Sequence, residues 1–239
     1  MGSGFEKLIA DFRQTFVEAD RWAALLKGVG VTLEITALAL VLGVALGIIV
    51  AVIRSSHDQI SGQHQKSGLL LAANAICKLY LTVVRGTPVM VQLLIMYFVI
   101  MVNSTNTTLT AVLTFGINSG AYVAEIVRSG IMSIDPGQME AGRSLGLNYV
   151  QTMWNIIIPQ AIKNILPALG NEFIALLKET SIVNVIGMKD ITKWAINVQG
   201  RTYQAFMPFI GIAVVYLVMV IFLSKMVALL ERRLNTNER

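Results

Sequence analysis

The sequence predicts an all-α, polytopic helical membrane protein with about five transmembrane helices, and its composition and hydrophobic patterning support this prediction. Of its 239 residues, 55% are hydrophobic and only 14% are charged, whereas about a quarter of the residues of a soluble domain are charged. The hydrophobic residues are gathered into long runs that do not alternate with polar residues. Backbone groups inside a bilayer must be bonded within the chain, so such runs form helices, and the missing alternation excludes a barrel.

The hydrophobic runs divide the chain into an ordered series of elements. We expect the spans at residues 29–53, 69–102, 109–131, 150–177 and 207–230. The second is too long for one simple crossing at about 1.5 Å per residue, and Pro88 is expected to bend it because proline lacks a backbone donor. Residues 54–66 are expected to form a polar loop, and the path of residues 178–206, either dipping back or lying along the outer surface, stays open.

The chain before the first span has a different pattern. Residues 5–26 predict an amphipathic helix, which lies in the membrane interface or forms a soluble cap packed on the spans. We therefore expect an N-terminal amphipathic segment at 1–28, a membrane domain at 29–231 and a basic tail at 232–239.

The distribution of lysine and arginine predicts the orientation of the chain. The loop at residues 103–108 has neither residue, which is typical of an outside loop, and the tail carries Arg232, Arg233 and Arg239. Under the positive-inside rule the C-terminus is then cytosolic, and five crossings place the N-terminus outside.

Polar residues within the predicted spans are candidates for a functional site. Asn118, Tyr122 and Glu125 follow one another at spacings of four and three, so they share one helix face. This face offers a carboxylate and two hydrogen-bonding groups to a polar solute. Alternatively, Asn118 and Tyr122 bond to a neighbouring helix, and Glu125 pairs with Arg85 or Arg128. A second polar group, Lys178-Glu179-Thr180-Ser181, lies at or beyond the outer end of the fourth span.

The stretch from Glu140 to Pro159 joins two predicted spans. It opens with small and polar residues and closes on an apolar run. Gly146 suits a helix C-terminus, where glycine enters the left-handed region cheaply. The stretch is either a docking surface for another protein or an ordinary helical connection.

Several chemistries have no support in the sequence. The chain has no G-x-x-x-x-G-K-[ST] loop for nucleotide phosphates and no H-E-x-x-H or G-x-S-x-G pattern, which disfavours an integral membrane enzyme. The single cysteine, Cys77, has no partner for an internal disulfide. A secondary transporter or channel that uses no ATPase remains an alternative, although no internal repeat supports it.

The stretch from Glu140 to Pro159 resembles the EAA loop of importer permeases of the ATP-binding cassette class. The matching residues are Glu140, Ala141, Gly146, Ile156 and Pro159. Gly142 replaces the third-position alanine of that pattern and Ile158 replaces a leucine. As a glycine within a helix, Gly142 is expected to loosen it by up to about 1 kcal/mol.

Other segments resemble the polar amino acid subfamily, the permeases for histidine, glutamine, arginine and similar solutes. They are residues 30–33, Arg85-Gly86-Thr87-Pro88 with Gln92, residues 118–122 with Glu125, and residues 159–161, 166–171 and 176–181. The resemblance runs from about residue 28 to residue 233, and the combination of segments is specific.

The resemblance implies a type I importer transmembrane fold in a bacterial inner membrane. It implies a second permease subunit, identical or a close homologue, an extracytoplasmic amino-acid-binding protein, and two cytosolic ATPase subunits. The chain itself would hold no cofactor, because ATP and Mg²⁺ are bound by the ATPases. The ATPases would receive the coupling residues Glu140, Ala141, Gly142, Arg143, Ser144, Leu145 and Gly146.

The resemblance also makes a solute site within the spans plausible. By this resemblance, we assign the candidate solute site to Asn118, Tyr122, Glu125, Lys178, Thr180 and Ser181. In it, Glu125 would suit a cationic side chain or the α-ammonium group, and Lys178 would suit a carboxylate.

Overall fold

The computed structural model of the protein describes residues 4–60 and 68–235, which are helical almost throughout. The helices in chain order are α1 (Gly4–Phe12), α2 (Arg21–Ile60), α3 (Gly68–Gly86), α4 (Val89–Ile95), α5 (Thr107–Met132), α6 (Pro136–Ser144), α7 (Tyr149–Thr152), α8 (Ile158–Glu179), α9 (Ile191–Thr202) and α10 (Phe206–Asn235). Short π- and 3₁₀-helical segments join some of them, namely Arg13–Val17, Glu18–Asp20, Met96–Ile100, Met153–Ile157 and Thr180–Ile186.

The spans expected from hydropathy agree with the helices at most positions. Among the described residues, four helical stretches are long and apolar enough to cross a membrane: Gly4–His57, Gly68–Gly86, Thr107–Met132 and Phe206–Leu234. The second predicted span is interrupted as expected, since α3 ends at Gly86 and α4 begins after Pro88. The fourth predicted span forms α8, which is not among the four because its 22 residues include Lys163, Glu172 and other polar side chains.

The prediction of one amphipathic helix over residues 5–26 was wrong, because the backbone turns at Ala19 and Asp20. Both residues have left-handed φ values, 54° and 52°, and α2 then begins at Arg21. The turn lets the Phe16 ring stack on Trp194 at a centroid distance of 5.5 Å. This contact provides a cap on the bundle, while the apolar side chains of α1 remain half-exposed or more: Phe5, Leu8, Ile9 and Phe12.

The prediction that the polar loop begins at Arg54 was also wrong. α2 continues to Ile60, because residues 54–60 contain no proline or glycine to end the helix. The predicted loop residues from 61 onward lie outside the described residues. The expected domain boundaries after residues 28 and 231 fall within α2 and α10, and the division itself stays a prediction.

Helices α2 and α5 run side by side in the same direction. A Cβ built at Gly43 would lie 3.0 Å from the Cβ of Ser119, and one built at Gly47 would lie 2.5 Å from Cγ1 of Val123. From the first contact to the second, the residue number rises by four on α2 and by four on α5, so the two helices are parallel. Small residues spaced four apart let membrane helices approach this closely, since packing rather than hydrophobicity drives their association.

Helix α8 runs in the opposite direction to α5. Near its end, Glu172 accepts a hydrogen bond from Ser119 at 2.7 Å, and nearer its start Ile165 contacts Gly130. Helix α10 starts where α2 starts, because Ile212 and Leu25 belong to one buried cluster. We call the end of the bundle that carries α6 and the last turns of α2 and α10 the α6 end. The opposite end, which carries α1 and α9, is the α9 end.

Candidate functional site

The bend between α3 and α4 is stabilised by the side chain of Gln92. Pro88 has no N–H to donate to the carbonyl of Val84 four residues earlier. Nε2 of Gln92 donates to that carbonyl at 2.8 Å, and also lies within hydrogen-bond distance of the Thr87 hydroxyl at 2.9 Å. The glutamine therefore replaces the hydrogen bond that proline removes, which holds the bend in one geometry.

The same glutamine joins the bend to the predicted solute-binding face. Nδ2 of Asn118 donates to Oε1 of Gln92 at 3.0 Å, and Asn118 is buried at 4% exposure. The alternative in which Asn118 bonds to a neighbouring helix is thus the arrangement in this structure. Gln92 is a residue that reasoning from helix faces missed, although it lies one turn after the proline in the sequence.

Tyr122 and Glu125 contact Arg85, which lies at the end of α3, whereas Gln92 lies on α4 after the bend. Nη1 of Arg85 lies 3.4 Å from Oε2 of Glu125, and its guanidinium lies 5.6 Å from the centroid of the Tyr122 ring. Arg128 is also close to the carboxylate, with Nη1 at 3.8 Å from Oε1 of Glu125. Glu125 therefore contacts both of the arginines expected as partners. Its side chain is 41% exposed, so the group is open to a second ligand.

A carboxylate that the sequence analysis did not single out lies between α5 and α8. Oε1 of Glu172 accepts from the Ser119 hydroxyl, and Ser119 itself is fully buried. Glu179 lies two helical turns further along α8, on the same face. The sequence signal that could have identified these two carboxylates is their spacing of seven residues within an apolar segment.

The second group of predicted site residues lies at the α9 end. Lys178 is exposed near the end of α8, about 9 Å along the axis from Glu172. The hydroxyl of Thr180 is buried and donates to the carbonyl of Leu177 at 2.8 Å, and the carbonyl of Ser181 accepts from Asn184 at 2.7 Å. The structure therefore brings together Asn118, Tyr122 and Glu125, and places Lys178, Thr180 and Ser181 further along the bundle.

Helix α6 is bounded by capping residues at both ends. Oδ1 of Asp135 accepts from the N–H of Gly137 at 2.8 Å, and Pro136 occupies the first helical position. At the other end, Gly146 has φ +81° as expected, and its N–H and that of Leu147 reach back to the last turn. This pattern is a Schellman motif, which needs a left-handed residue at this position.

Helix α6 exposes most of its side chains and rests on one glycine. Gly142 is buried, while Glu140, Arg143 and Ser144 are exposed. The apolar side chain of Leu145 is 79% exposed. Gly142 permits this placement, because a Cβ there would lie 2.5 Å from Cγ2 of the buried Thr152. Tertiary contact thus explains why a glycine stands where the EAA pattern has alanine.

We expect Gly142→Ala to loosen α6 from Thr152, since overpacking a close contact costs about 1–3 kcal/mol. The double variant with Thr152→Ala is expected to recover most of that loss, because the clashing atoms are then gone. The measurement is the rate of trypsin cleavage after Arg143 in the purified protein. Gly200→Ala is the matched control, since a Cβ there meets nothing within 4 Å. Equal cleavage rates in the single and double variants would contradict the contact.

Comparison with known proteins agrees with this architecture. Residues 68–236 match the family model for the binding-protein-dependent transport system inner membrane component. The putative glutamine transport system permease protein GlnP of Rickettsia prowazekii (strain Madrid E) is 35% identical over 216 residues, covering 89% of this chain and 94% of that protein. The arginine transport system permease protein ArtQ of Bacillus subtilis (strain 168) is 36% identical over 217 residues, covering 90% and 94%.

A solved structure supports the same assignment. The crystal structure of an amino acid ABC transporter with histidines is 41% identical in sequence, with a TM-score of 0.81 over 92% of this chain and 98% of that one. The family match covers well over half of the chain, and the relatives are similar over nearly their whole length. The chain therefore belongs to the family of binding-protein-dependent transport system inner membrane components.

Proposed function

We propose that this chain is the permease subunit of an ATP-driven importer for a polar amino acid. The similar proteins named above are glutamine and arginine permeases and an amino acid transporter. The subunit forms the translocation path with a second permease, which is either another copy or a close homologue. An extracytoplasmic binding protein delivers the solute. Two cytosolic ATPase subunits bind ATP and Mg²⁺, so the chain needs no cofactor and catalyses no reaction itself.

The observation that carries this proposal is the exposed, doubly capped helix α6. Its caps at Asp135 and Gly146 fix where it begins and ends, and Leu145 stands out from its last turn. A short helix with capped ends moves as one rigid unit, so it transmits a displacement of a docked subunit to the spans better than a flexible loop does. Residues Glu140 to Gly146 are thus suited to sit in a cleft of the ATPase and to move with it.

The arrangement of the spans supports the orientation that this role needs. The basic residues Arg232 and Arg233 at the end of α10 lie at the α6 end, which is cytosolic under the positive-inside rule. The α9 end, with α1 and the N-terminus, is then outside. This orientation places α6 within reach of cytosolic ATPases.

The same geometry supports a solute site within the spans. Asn118, Tyr122 and Glu125 are on the path, with Arg85 as the counter-charge of the carboxylate. The ammonium group of an amino acid competes with Arg85 for Glu125, and the released guanidinium takes the solute carboxylate. Lys178 and Ser181 line the outer approach at the α9 end, and the buried Thr180 lies between them in the chain. The solute itself can shift the equilibrium between two states of the path only by its differential affinity for them.

Reconstitution tests the proposal against a transporter that needs no ATPase. The chain is purified from its native membranes with its bound subunits and placed in liposomes with the binding protein outside and ATP inside. We expect a soluble ATPase to copurify and uptake of a labelled polar amino acid to require both ATP and Mg²⁺. Uptake driven by an ion gradient without ATP, with no ATPase copurifying, would support the alternative instead.

A further inference from the structure

The carboxamide of Gln92 has only one favourable orientation at the bend between α3 and α4. Its Nε2 lies 2.8 Å from the carbonyl oxygen of Val84 and 3.1 Å from that of Thr87. The Thr87 hydroxyl donates its proton to the carbonyl of Val83 at 2.8 Å, so its oxygen accepts from the same Nε2. Three acceptors therefore surround this position, and turning the amide over would set Oε1 against all three.

The fixed glutamine in turn fixes the amide of Asn118. Oε1 of Gln92 can only accept, so Asn118 must present its Nδ2, and the two atoms lie 3.0 Å apart. The carbonyl oxygen Oδ1 of Asn118 is then directed away from Gln92. Among the described residues no group donates to this Oδ1, and it is not one of the fully buried polar atoms that lack a partner. It is therefore an open acceptor that an entering molecule can reach.

This open acceptor belongs to the helix face of the candidate solute site. Asn118, Tyr122 and Glu125 lie within about 60° of one another around α5. In the proposed binding mode Glu125 holds the α-ammonium group of the solute and Arg85 its carboxylate, so the solute side chain extends along this face toward Asn118. An acceptor at that point favours a side chain that ends in N–H groups, an amide or a guanidinium, over one that ends in a carboxylate.

We propose that Gln92 is a positioning residue, which holds Asn118 with its carbonyl oxygen toward the solute and so selects side chains that donate hydrogen bonds. The selection originates at Pro88, because the carbonyl of Val84 that proline leaves without an N–H dictates which way Gln92 turns. Without Gln92, the Asn118 amide is free to turn over and offer its NH₂ group to a carboxylate. The inference rests on the proposed function, since it needs Asn118 to face the transported solute.

The test is equilibrium binding of radiolabelled arginine, glutamine and glutamate to the purified permease–ATPase complex without the binding protein. The quantity compared is the selectivity, which is the affinity for the tighter-bound of arginine and glutamine divided by the affinity for glutamate. We expect Gln92→Leu to lower this ratio about tenfold, the scale of one hydrogen bond lost or gained. A side chain that only supported the bend would weaken binding of all three solutes alike and leave the ratio unchanged.

Two further variants separate the orientation of Asn118 from support of the bend. Thr87→Val removes a hydroxyl from the bend but leaves Asn118 bonded to Gln92, so we expect the ratio to stay within about twofold of the wild type. Gln92→Glu keeps an acceptor for Nδ2 of Asn118 but has no N–H for the carbonyl of Val84. Its ratio is therefore expected not to fall, even where the affinities themselves do.

The outcomes that overturn the positioning role differ from those that overturn transport. The positioning role fails if Gln92→Leu keeps the wild-type ratio, if Thr87→Val lowers the ratio as much as Gln92→Leu does, or if the wild-type complex binds glutamate as tightly as the other two solutes. None of these results touches the transport function. If the reconstituted wild-type complex shows no ATP-driven uptake of any amino acid, the proposed function fails and the inference fails with it.

Discussion

Replacing Glu140 by lysine is expected to abolish ATP-driven uptake while leaving the membrane domain folded. The side chain of Glu140 is exposed on α6, and lysine has a similar helix propensity, so the helix itself persists. Reversing a charge in a docking surface costs about 2–5 kcal/mol, which is roughly 30-fold to several thousandfold in affinity for the ATPase. The measurements are the amount of ATPase that copurifies and the rate of ATP-driven uptake.

A control and a second variant make this result specific to docking. Gln138→Lys places the same cationic side chain two residues earlier, on a different face of α6, with a charge change of about +1 instead of +2, and is expected to have a much smaller effect. Gly146→Asp is expected to uncouple transport as well, because Gly146 has φ +81° and an L-residue there costs about 1–2 kcal/mol. If both Glu140→Lys and Gly146→Asp retain full ATP-driven uptake, α6 is not the docking element.

Replacing Glu125 by glutamine is expected to raise the KM for uptake of a cationic amino acid by about 10- to 100-fold. The change removes a charge-assisted bond worth roughly 1.5–3 kcal/mol, while the amide keeps the size of the side chain. Assembly with the ATPase is expected to be intact, because Glu125 lies in α5 and not on α6. The measurement compares uptake of arginine and of glutamine by the reconstituted complex.

The control for Glu125 is Glu34→Gln, which neutralises an exposed acid on α2. We expect Glu34→Gln to leave both KM values within about twofold of the wild type. A larger effect of Glu125→Gln on arginine than on glutamine would place the carboxylate at the solute side chain. Equal effects would place it at the α-ammonium group, and unchanged kinetics would remove Glu125 from the site.

Local features of the chain were accessible to sequence reasoning because their causes are local. The bend at Pro88 follows from the missing N–H of proline, and the left-handed Gly146 follows from the absence of a Cβ. Apolar runs of sufficient length could be assigned to spans for the same reason, since the bilayer imposes one requirement on every residue within it. The break at Ala19 escaped prediction because alanine rarely adopts a left-handed conformation, and a distant ring contact accompanies it here.

Contacts between side chains on different helices were harder to predict from the sequence. Glu125 had two candidate arginines in the sequence, and the structure places both beside it. The bond from Asn118 to Gln92 could not be foreseen, because it depends on how the α3–α4 bend turns toward α5. The Glu172 contact depends in the same way on the antiparallel placement of α8.

By itself, the sequence determined the class of the protein, the positions of most spans and the C-terminal end of the short helix α6 at Gly146. These features depend on hydrophobicity, backbone geometry and capping groups that lie within a few residues of each other. Only the tertiary structure decided that α2 and α5 are parallel, that Gly142 must be small beneath Thr152, and which polar residues lie in contact with each other. Those relations join residues far apart in the chain, and they are set by which surfaces pack closely enough to exclude lipid and satisfy their polar groups.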